Sequence, residues 1–379
     1  MIKTIISSFS DPKIFLITIF WLMILVILGT LSQADIGLYS AQEKYFSSWI
    51  TWLGIMPTPG GRLALFIMFL NLFSFVLKRS FWSIKKIGII ITHLGVLLLL
   101  LGGGVTAWFS SEGVMIIEEG GFSNFIADSH KKELVIIDTG NSKYDKVISI
   151  SDNFFRKGKV IENSKIPFTI EIIDYFINCS ITPRSEPDYR HKGFSKNFVL
   201  SEIPPEKERE RNTTGITFRI SNASQSVDGI YSLVIDQRIP QIIPLKGKEL
   251  TLTLRRERVY LPFNLELIDF KKELYPGTGI ARSFSSKINI HEIKNVKIGD
   301  ISRSVIIKMN HPLRYKNYTF YQSSFIDDFD TEATVLSVVK NYGRLFPYIA
   351  SIIMSFGLLL HMILKLPKLF SRKKGGARL

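Results

Sequence analysis

Cysteine is nearly missing from this sequence: Cys179 is the single cysteine among 379 residues. A chain with one thiol cannot form an internal disulfide, and it cannot act as an intramolecular dithiol oxidoreductase. The sequence also lacks Cys-x-x-Cys, His-Glu-x-x-His, a phosphate-cradling glycine loop and Gly-x-Ser-x-Gly. The common hydrolase and nucleotide-binding signatures therefore do not apply, and no active site is expected outside the membrane.

Acidic residues are also scarce in three short segments that hold most of the positive charge. The N-terminal residues up to Lys13, the loop 78–86 and the tail 365–379 together contain 12 basic residues and one acidic residue. The rest of the chain has 36 basic and 32 acidic residues, which nearly balance. The overall charge of +15 therefore gives no support to nucleic-acid binding.

Long uncharged runs indicate membrane helices. The run 87–109 spans about 35 Å as a helix, which is enough to cross the roughly 30 Å hydrocarbon core of a bilayer. Further transmembrane helices are predicted at about 14–31 and at 344–366. The first of these is expected to be retained rather than cleaved as a signal peptide. The shorter run 63–77, with Asn71 near its middle, is interpreted as another span because basic residues flank it. The sequence thus predicts an integral membrane α-helical bundle of four transmembrane helices.

The basic segments predict the orientation of this bundle. Lys and Arg near a span are retained on the cytoplasmic side, so the loop 78–86, the N-terminus and the basic tail 367–379 are placed in the cytoplasm. Residues 110–343, between helices three and four, then lie outside it. A bacterial periplasm is favoured for this side, with a Gram-positive cell exterior and a thylakoid lumen as alternatives.

The large segment 110–343 is predicted to be an extracytoplasmic all-β domain. Short alternating or β-branched runs are separated by turn residues, without a long helical period. The stretches 165–176 and 260–271 share a Pro-Phe, a Glu, an Ile-Asp and an aromatic residue, and further strands correspond downstream. Two repeated β units at roughly 110–240 and 241–343 are one interpretation, and coincidence between generic strands is the other. The charged loop 203–215 is expected to be a solvated hairpin tip.

One ionisable side chain, His93, interrupts the run 87–109. Gly88, Gly95 and Gly102 recur every seven residues on the same helix and allow another helix to approach closely. At 100° per residue, His93 projects about 140–160° away from this glycine stripe. It can present its imidazole to a ligand or partner, because ionisable side chains inside membrane helices are often functional. The alternative is a neutral histidine that is hydrogen-bonded within the helix bundle.

His361 lies near the cytoplasmic end of the last span and is a weaker candidate. A structural role close to the lipid headgroups is the alternative for this residue. The histidines of the outer segment, His130, His191 and His291, lie in polar stretches and are expected to be solvated, without a role.

Five stretches together resemble the ResB-like family of system II cytochrome c biogenesis proteins, of the ResB/CcsB type. They are "LGTLSQADIGLYSAQEKYF" after the first span, "ITHLGVLLLLLGG" in the third, "EGVMIIEEG" after it, "LPFNLELIDFKKELYPGTG", and "NHPLRYKNYTFYQSSF" before the last.

The resemblance implies a subunit of a membrane haem-delivery and cytochrome c synthase complex, which is not an enzyme on its own. The implied partners are an integral membrane protein of the CcsA/ResC type, an apocytochrome c with a Cys-x-x-Cys-His motif and a thioredoxin-like reductant. Haem b is the implied cargo, handled but not permanently bound. His93, in the matching "THLG" stretch, is the implied axial ligand of its iron. The alternative is a membrane-anchored scaffold that positions the synthase partner without contacting haem.

Overall fold

The computed structural model describes residues 7–78, 83–140, 144–186, 188–245, 247–294, 297–328 and 331–375. The chain divides into two compact units, one formed by Met1–Ser110 with Lys340–Leu379 and the other by Ser111–Val339. Part of the predicted basic loop, residues 79–82, and the end of the predicted tail, residues 376–379, lie outside the described residues.

The first unit is helical. Its helices are α1 (Pro12–Ile36), α2 (Leu38–Ala41), α3 (Gly61–Leu77), α4 (Ile87–Phe109) and α6 (Phe346–Gly375), with a π-helical turn at Gln42–Phe46 and a 3₁₀ turn at Ile84–Lys86. A hairpin of strands β1 (Ile50–Leu53) and β2 (Met56–Pro59) precedes α3. The last helix extends beyond the predicted end at residue 366, so that part of the predicted tail is helical.

Helix α1 is longer than its apolar run because local caps determine its ends. The Asp11 side chain accepts a hydrogen bond from the Lys13 amide at 2.9 Å, and Pro12 occupies the first helical position. Gly37 adopts a φ of 80° after the last turn, a conformation that glycine reaches at low cost.

Within the described residues, three helices are long and apolar enough to cross a membrane: Pro12–Ile36, Ile87–Phe109 and Phe346–Leu366. Helix α3 is apolar but has 17 residues, fewer than the roughly 20 that a straight crossing needs. The fourth span therefore stays a prediction.

The second unit is β-rich, as the sequence predicts. Its strands are β3 (Ser111–Glu118), β4 (Phe122–Asp138), β5 (Lys146–Ser151), β6 (Val160–Ile161), β7 (Thr169–Phe176), β8 (Cys179–Pro183), β9 (Phe198–Glu202), β10 (Gly215–Ser221), β11 (Gly229–Val234), β12 (Gln241–Leu245), β13 (Lys248–Leu274), β14 (Ala281–Lys294), β15 (Lys297–Lys308), β16 (Leu313–Tyr315), β17 (Tyr318–Asp328) and β18 (Thr331–Lys340). One helical turn, α5 (Phe194–Asn197), and 3₁₀ turns at Asp152–Phe154 and Arg209–Arg211 connect them.

The strands form one large sheet and two smaller ones. The large sheet has the order β15-β14-β13-β4-β3-β18-β17-β16, and β12 and β5 pair with β13 and β4 outside this path. A second sheet has the order β11-β10-β7-β6, and β8 pairs with β9. The pairs β10–β11, β13–β14 and β4–β13 are antiparallel, which is typical of sheets built from hairpins.

Two hydrophobic cores share the long strands β4 and β13. The first core contains Leu134 from β4 and Leu252 from β13, together with Phe218 from β10. The second core contains Ile126 from β4 and Phe263 from β13. The ladder between β4 and β13 is irregular after Arg256 and again after Tyr260, where bulges let one strand bend from one core to the next.

The predicted pair of repeated β units is not confirmed. The cores do not separate at residue 240, because 241–254 contributes to the first core and 111–126 to the second. The corresponding strands also pair differently. In the repeat, 165–176 corresponds to 260–271 and 215–222 to 304–310, but β7 is hydrogen-bonded directly to β10, whereas β13 and β15 are separated by β14.

Candidate functional site

The glycine stripe of α4 packs directly against α6, as the seven-residue spacing predicts. Gly88, Gly95 and Gly102 are all buried. A Cβ atom added at Gly88 would lie 2.5 Å from the backbone nitrogen of His361, and one at Gly95 would lie 3.1 Å from that of Met354. The two helices thus meet backbone to backbone, and no ligand can enter between them at these positions.

His93 lies on the other side of α4. Its Nδ1 is 2.7 Å from the carbonyl oxygen of Ile89, and its ring centroid is 5.4 Å from that of Phe75 in α3, at an angle of 40°. A carbonyl oxygen can only accept a hydrogen bond, so Nδ1 carries a proton. In a neutral imidazole with this proton the lone pair is on Nε2, which is then the nitrogen that can bind a metal, and the bond to Ile89 fixes the ring orientation.

His361, on α6, is near His93 in depth but lies against a different face of α4. Its backbone lies against Gly88, five residues before His93, which corresponds to about 7 Å along the helix axis. Five residues also rotate the side-chain direction by about 140°. The Nδ1 atom of His361 is buried and has no hydrogen-bond partner among the described residues.

His93 and His361, near one end of the α4–α6 pair, do not form a complete metal site. Within the described ranges, no group of three or more His, Cys, Asp or Glu side chains is arranged to hold a metal ion. His93 on α4 and His361 on α6 lie against different faces of α4, so the two imidazoles do not face each other across a shared site.

The expectation that the outer histidines are solvated is wrong for His291. This residue is 7% exposed, and its Nε2 lies 2.7 Å from a carboxylate oxygen of Glu266 on the neighbouring strand β13. Asn289 also donates to Glu266, at 3.2 Å. The pairing of β13 with β14 brings His291 and Glu266 together although they are 25 residues apart in the sequence. The polar residues next to His291 in the sequence therefore did not indicate that it is buried.

A polar cavity of about 360 Å³ occurs in the β-rich unit and was not anticipated from the sequence. Lys132 on β4 and Arg256 on β13 are directly opposite each other in its wall. Burial lowers the pKa of the Lys132 amine, and the charge of Arg256 adds to this effect. Arg209 also lines the cavity, so the loop 203–215 is not simply a solvated hairpin tip.

The charges around this cavity nearly cancel. Three acidic side chains, Asp152, Glu210 and Asp236, also line it. Their negative charges balance the positive charges of Lys132, Arg209 and Arg256, so the lining does not select an anion or a cation by charge. We assign no ligand to this cavity.

Residues 242–332 match the ResB-like family. This segment contains two of the five stretches that carry the resemblance, at 261–279 and 310–325, and the other three lie before it. The resemblance to the family is thereby confirmed.

The chain is also similar to Protein NrfI of Wolinella succinogenes, with 22% identity over 306 residues. The aligned part covers 78% of this chain and 29% of NrfI. The aligned part of the chain therefore spans less than a third of the length of this relative.

Proposed function

Because residues 242–332 match the ResB-like family, we propose that this chain is an accessory subunit of a system II cytochrome c synthase complex. It assists the handling of haem b across the membrane and its presentation to apocytochrome c, where thioether bonds form. The chain itself performs no covalent step. An integral membrane partner of the CcsA/ResC type shares the haem, and a thioredoxin-like protein keeps the apocytochrome thiols reduced.

The environment of His93 is the observation that carries the haem role. Nδ1 donates to the carbonyl oxygen of Ile89, so Nε2 of the neutral imidazole is the atom that would bind iron. His93 is six residues from the start of α4 at Ile87, about 9 Å into the helix. If the basic loop before α4 is cytoplasmic, this depth lies in the inner leaflet and suits haem that enters from the cytoplasm.

The packing of α4 supports one direction of approach to His93. The α6 side of α4 is closed by the glycine contacts, whereas Phe75 of α3 lies beside the imidazole. The proposal therefore places haem on the side of His93 that faces away from α6, where Phe75 is the neighbouring aromatic ring. His361, with its backbone on the closed side, remains the weaker ligand candidate.

We place the complex in the cytoplasmic membrane of a bacterium, with both termini in the cytoplasm and the β-rich unit in the periplasm. In that position the β-rich unit docks apocytochrome c or braces the CcsA/ResC-type partner. The alternative is a scaffold that positions the partner and touches no haem.

A haem spectrum separates these two functions. The protein is co-purified with its CcsA/ResC-type partner, and His93→Ala is expected to weaken the haem absorbance because one axial ligand is lost. Added imidazole should restore it by occupying the vacated position. His361→Ala, as the matched histidine variant, should change the spectrum little. An unchanged spectrum in His93→Ala would remove this residue from the ligand set and favour the scaffold.

A further inference from the structure

A lysine follows the end of α3, close to the imidazole of His93. Lys78 is the C-cap residue of α3, and its amide donates to the carbonyl oxygen of Phe75 at 3.2 Å. Phe75 is the ring that lies beside His93, with 5.4 Å between the two ring centroids. Lys78 is therefore within one helical turn of the aromatic neighbour of His93, and its side chain is exposed.

A second lysine, Lys86, has the corresponding position on α4. It is the N-cap residue of this helix, and its side chain is exposed. Seven residues separate it from His93, which is about 10 Å along the helix axis and nearly two full turns. Two turns return a residue to the same face, so Lys86 and His93 share the face of α4 that is directed away from the glycine stripe. Both lysines are thus displaced from the imidazole toward the loop 78–86.

Acidic side chains do not offset these charges within α3, α4 or the loop between them. The sequence has no Asp or Glu between Glu43 and Glu112, and the loop 78–86 contains four basic residues. The backbone of Asp11, at the start of α1, contacts Asn71 of α3, but the Asp11 carboxylate already accepts a hydrogen bond from the amide of Lys13. The end of the α3–α4 pair nearest His93 therefore has a surplus of positive charge.

The other direction from His93 is apolar. Leu97 lies one turn beyond His93 on α4, and it belongs to an apolar cluster with Leu72 and Val76 of α3. The imidazole thus lies between an apolar stretch and a pair of cations. Haem has the same order of groups: an apolar porphyrin edge, a central iron that an imidazole nitrogen can bind, and two propionate carboxylates on one edge.

We propose that Lys78 and Lys86 bind the propionate carboxylates of haem while His93 binds its iron, an inference that rests on the proposed function. The two ammonium groups then orient the porphyrin, with its carboxylates toward the loop 78–86 and its apolar edge toward Leu97. Membrane topology alone also requires positive charge in this loop. The propionate role differs from that requirement because it makes the affinity for the ligand depend on the carboxylates of the ligand.

Haem and its dimethyl ester separate the propionate role from a topological one. The full chain is purified with its CcsA/ResC-type partner, depleted of haem and titrated with either compound in detergent, with the Soret band as the signal. Esterification removes both carboxylate charges and leaves the iron unchanged. We expect the wild-type complex to bind haem about tenfold more tightly than the ester, which is the preference that two exposed ion pairs together provide.

Substitutions assign this preference to the two lysines. Lys78→Met and Lys86→Met should each reduce the preference for haem over the ester by about threefold, and the double variant should bind both compounds equally. The Soret maximum should keep its wild-type position, because His93 still binds the iron. Lys86→Arg retains the charge and should retain the preference. Lys365→Met is the matched control, because Lys365 is exposed four residues after His361 on α6, which packs against the glycine stripe of α4.

Three results would overturn the propionate role. They are equal affinity of the wild-type complex for haem and ester, an undiminished preference in the double variant, and an equal loss of preference in Lys365→Met. The double variant keeps Arg79 and Lys85 in the loop, so its orientation in the membrane should be preserved. If any of these results occurs while the haem spectrum still depends on His93, the proposed function stands and only the propionate role is wrong. A haem spectrum that does not depend on His93 contradicts the haem role itself.

Discussion

Glu257 on β13 is a carboxylate in an unfavourable environment. Its Oε2 atom is buried and has no hydrogen-bond partner among the described residues. Burial raises its pKa above the usual range, and nearby acidic side chains such as Asp128 and Glu133 act in the same direction, while Lys131 opposes them. A raised pKa in the folded state means that the protonated form is favoured by folding. The contribution to stability is therefore full below the pKa of the unfolded chain and is lost as the pH rises through the folded pKa.

We therefore expect Glu257→Gln to raise the melting temperature of the full chain in detergent at pH 7.5, by about 2 °C. Removing the charge removes the cost of burying it, so the difference from wild type should disappear near pH 4. Scanning fluorimetry at both pH values measures this. Glu249→Gln, at an exposed position of the same strand, is the control. An equal effect of Glu257→Gln at both pH values would contradict this account.

Cys179 is expected to be chemically inert in the folded protein. Burial raises the pKa of its thiol to about 11, and the residue is 3% exposed. At pH 7.5 only about one molecule in 3,000 carries the reactive thiolate. Maleimide labelling of the full chain should therefore be slow in mild detergent and fast after denaturation in SDS. Rapid labelling of the native protein would show that the pocket of Cys179 opens.

At the scale of elements, the contact between α4 and α6 depends on glycine. A Cβ atom at Gly88 would lie 2.5 to 2.7 Å from backbone atoms of His361 and Gly357, which cannot move aside as a flexible side chain can. A Cβ atom at Gly103, on the same helix, would meet nothing within 4 Å. The same substitution should therefore have opposite effects at these two positions.

Gly88→Ala is expected to destabilise the helical unit by about 1 to 3 kcal/mol through overpacking. Gly103→Ala should be neutral or slightly stabilising, because alanine is the better helix former. The melting temperatures of the two variants in detergent make the comparison. If both variants behave alike, the close approach of α4 and α6 is not the determinant.

Local periodicity explains which of these features the sequence predicts. The spacing of Gly88, Gly95 and Gly102 and the angular position of His93 follow from helix geometry within one segment, and the structure has both. The burial of His291 depends on Glu266 across a strand pair, which periodicity does not reveal. The return of 45–59 along α1 is also a tertiary contact, since no local pattern places Tyr45 beside Ser32.

At the scale of the whole molecule, the long strands explain why the β-rich unit was harder to predict. The sequence predicts short strands separated by turns, but β13 continues from Lys248 to Leu274 with bulges in its pairing. The two cores are therefore joined by shared strands and not divided into consecutive halves. Similar local patterns at 165–176 and 260–271 reflect burial in a core, and they do not determine which strand lies beside which.

The number of membrane crossings is a property of the whole chain that reporters can measure. Three long apolar helices, with α3 left on one side, would put the two termini on opposite sides of the membrane. If α3 and the segment 45–59 together complete a fourth crossing, both termini lie on the same side. The basic residues near the spans make that side the cytoplasm. We therefore expect fluorescent-protein fusions at either terminus to be fluorescent in the cytoplasm, and alkaline phosphatase fused after Ser110 to be active outside it. A non-fluorescent fusion at one terminus, with the fusion protein present in full amount, would show that the return leg along α1 does not cross.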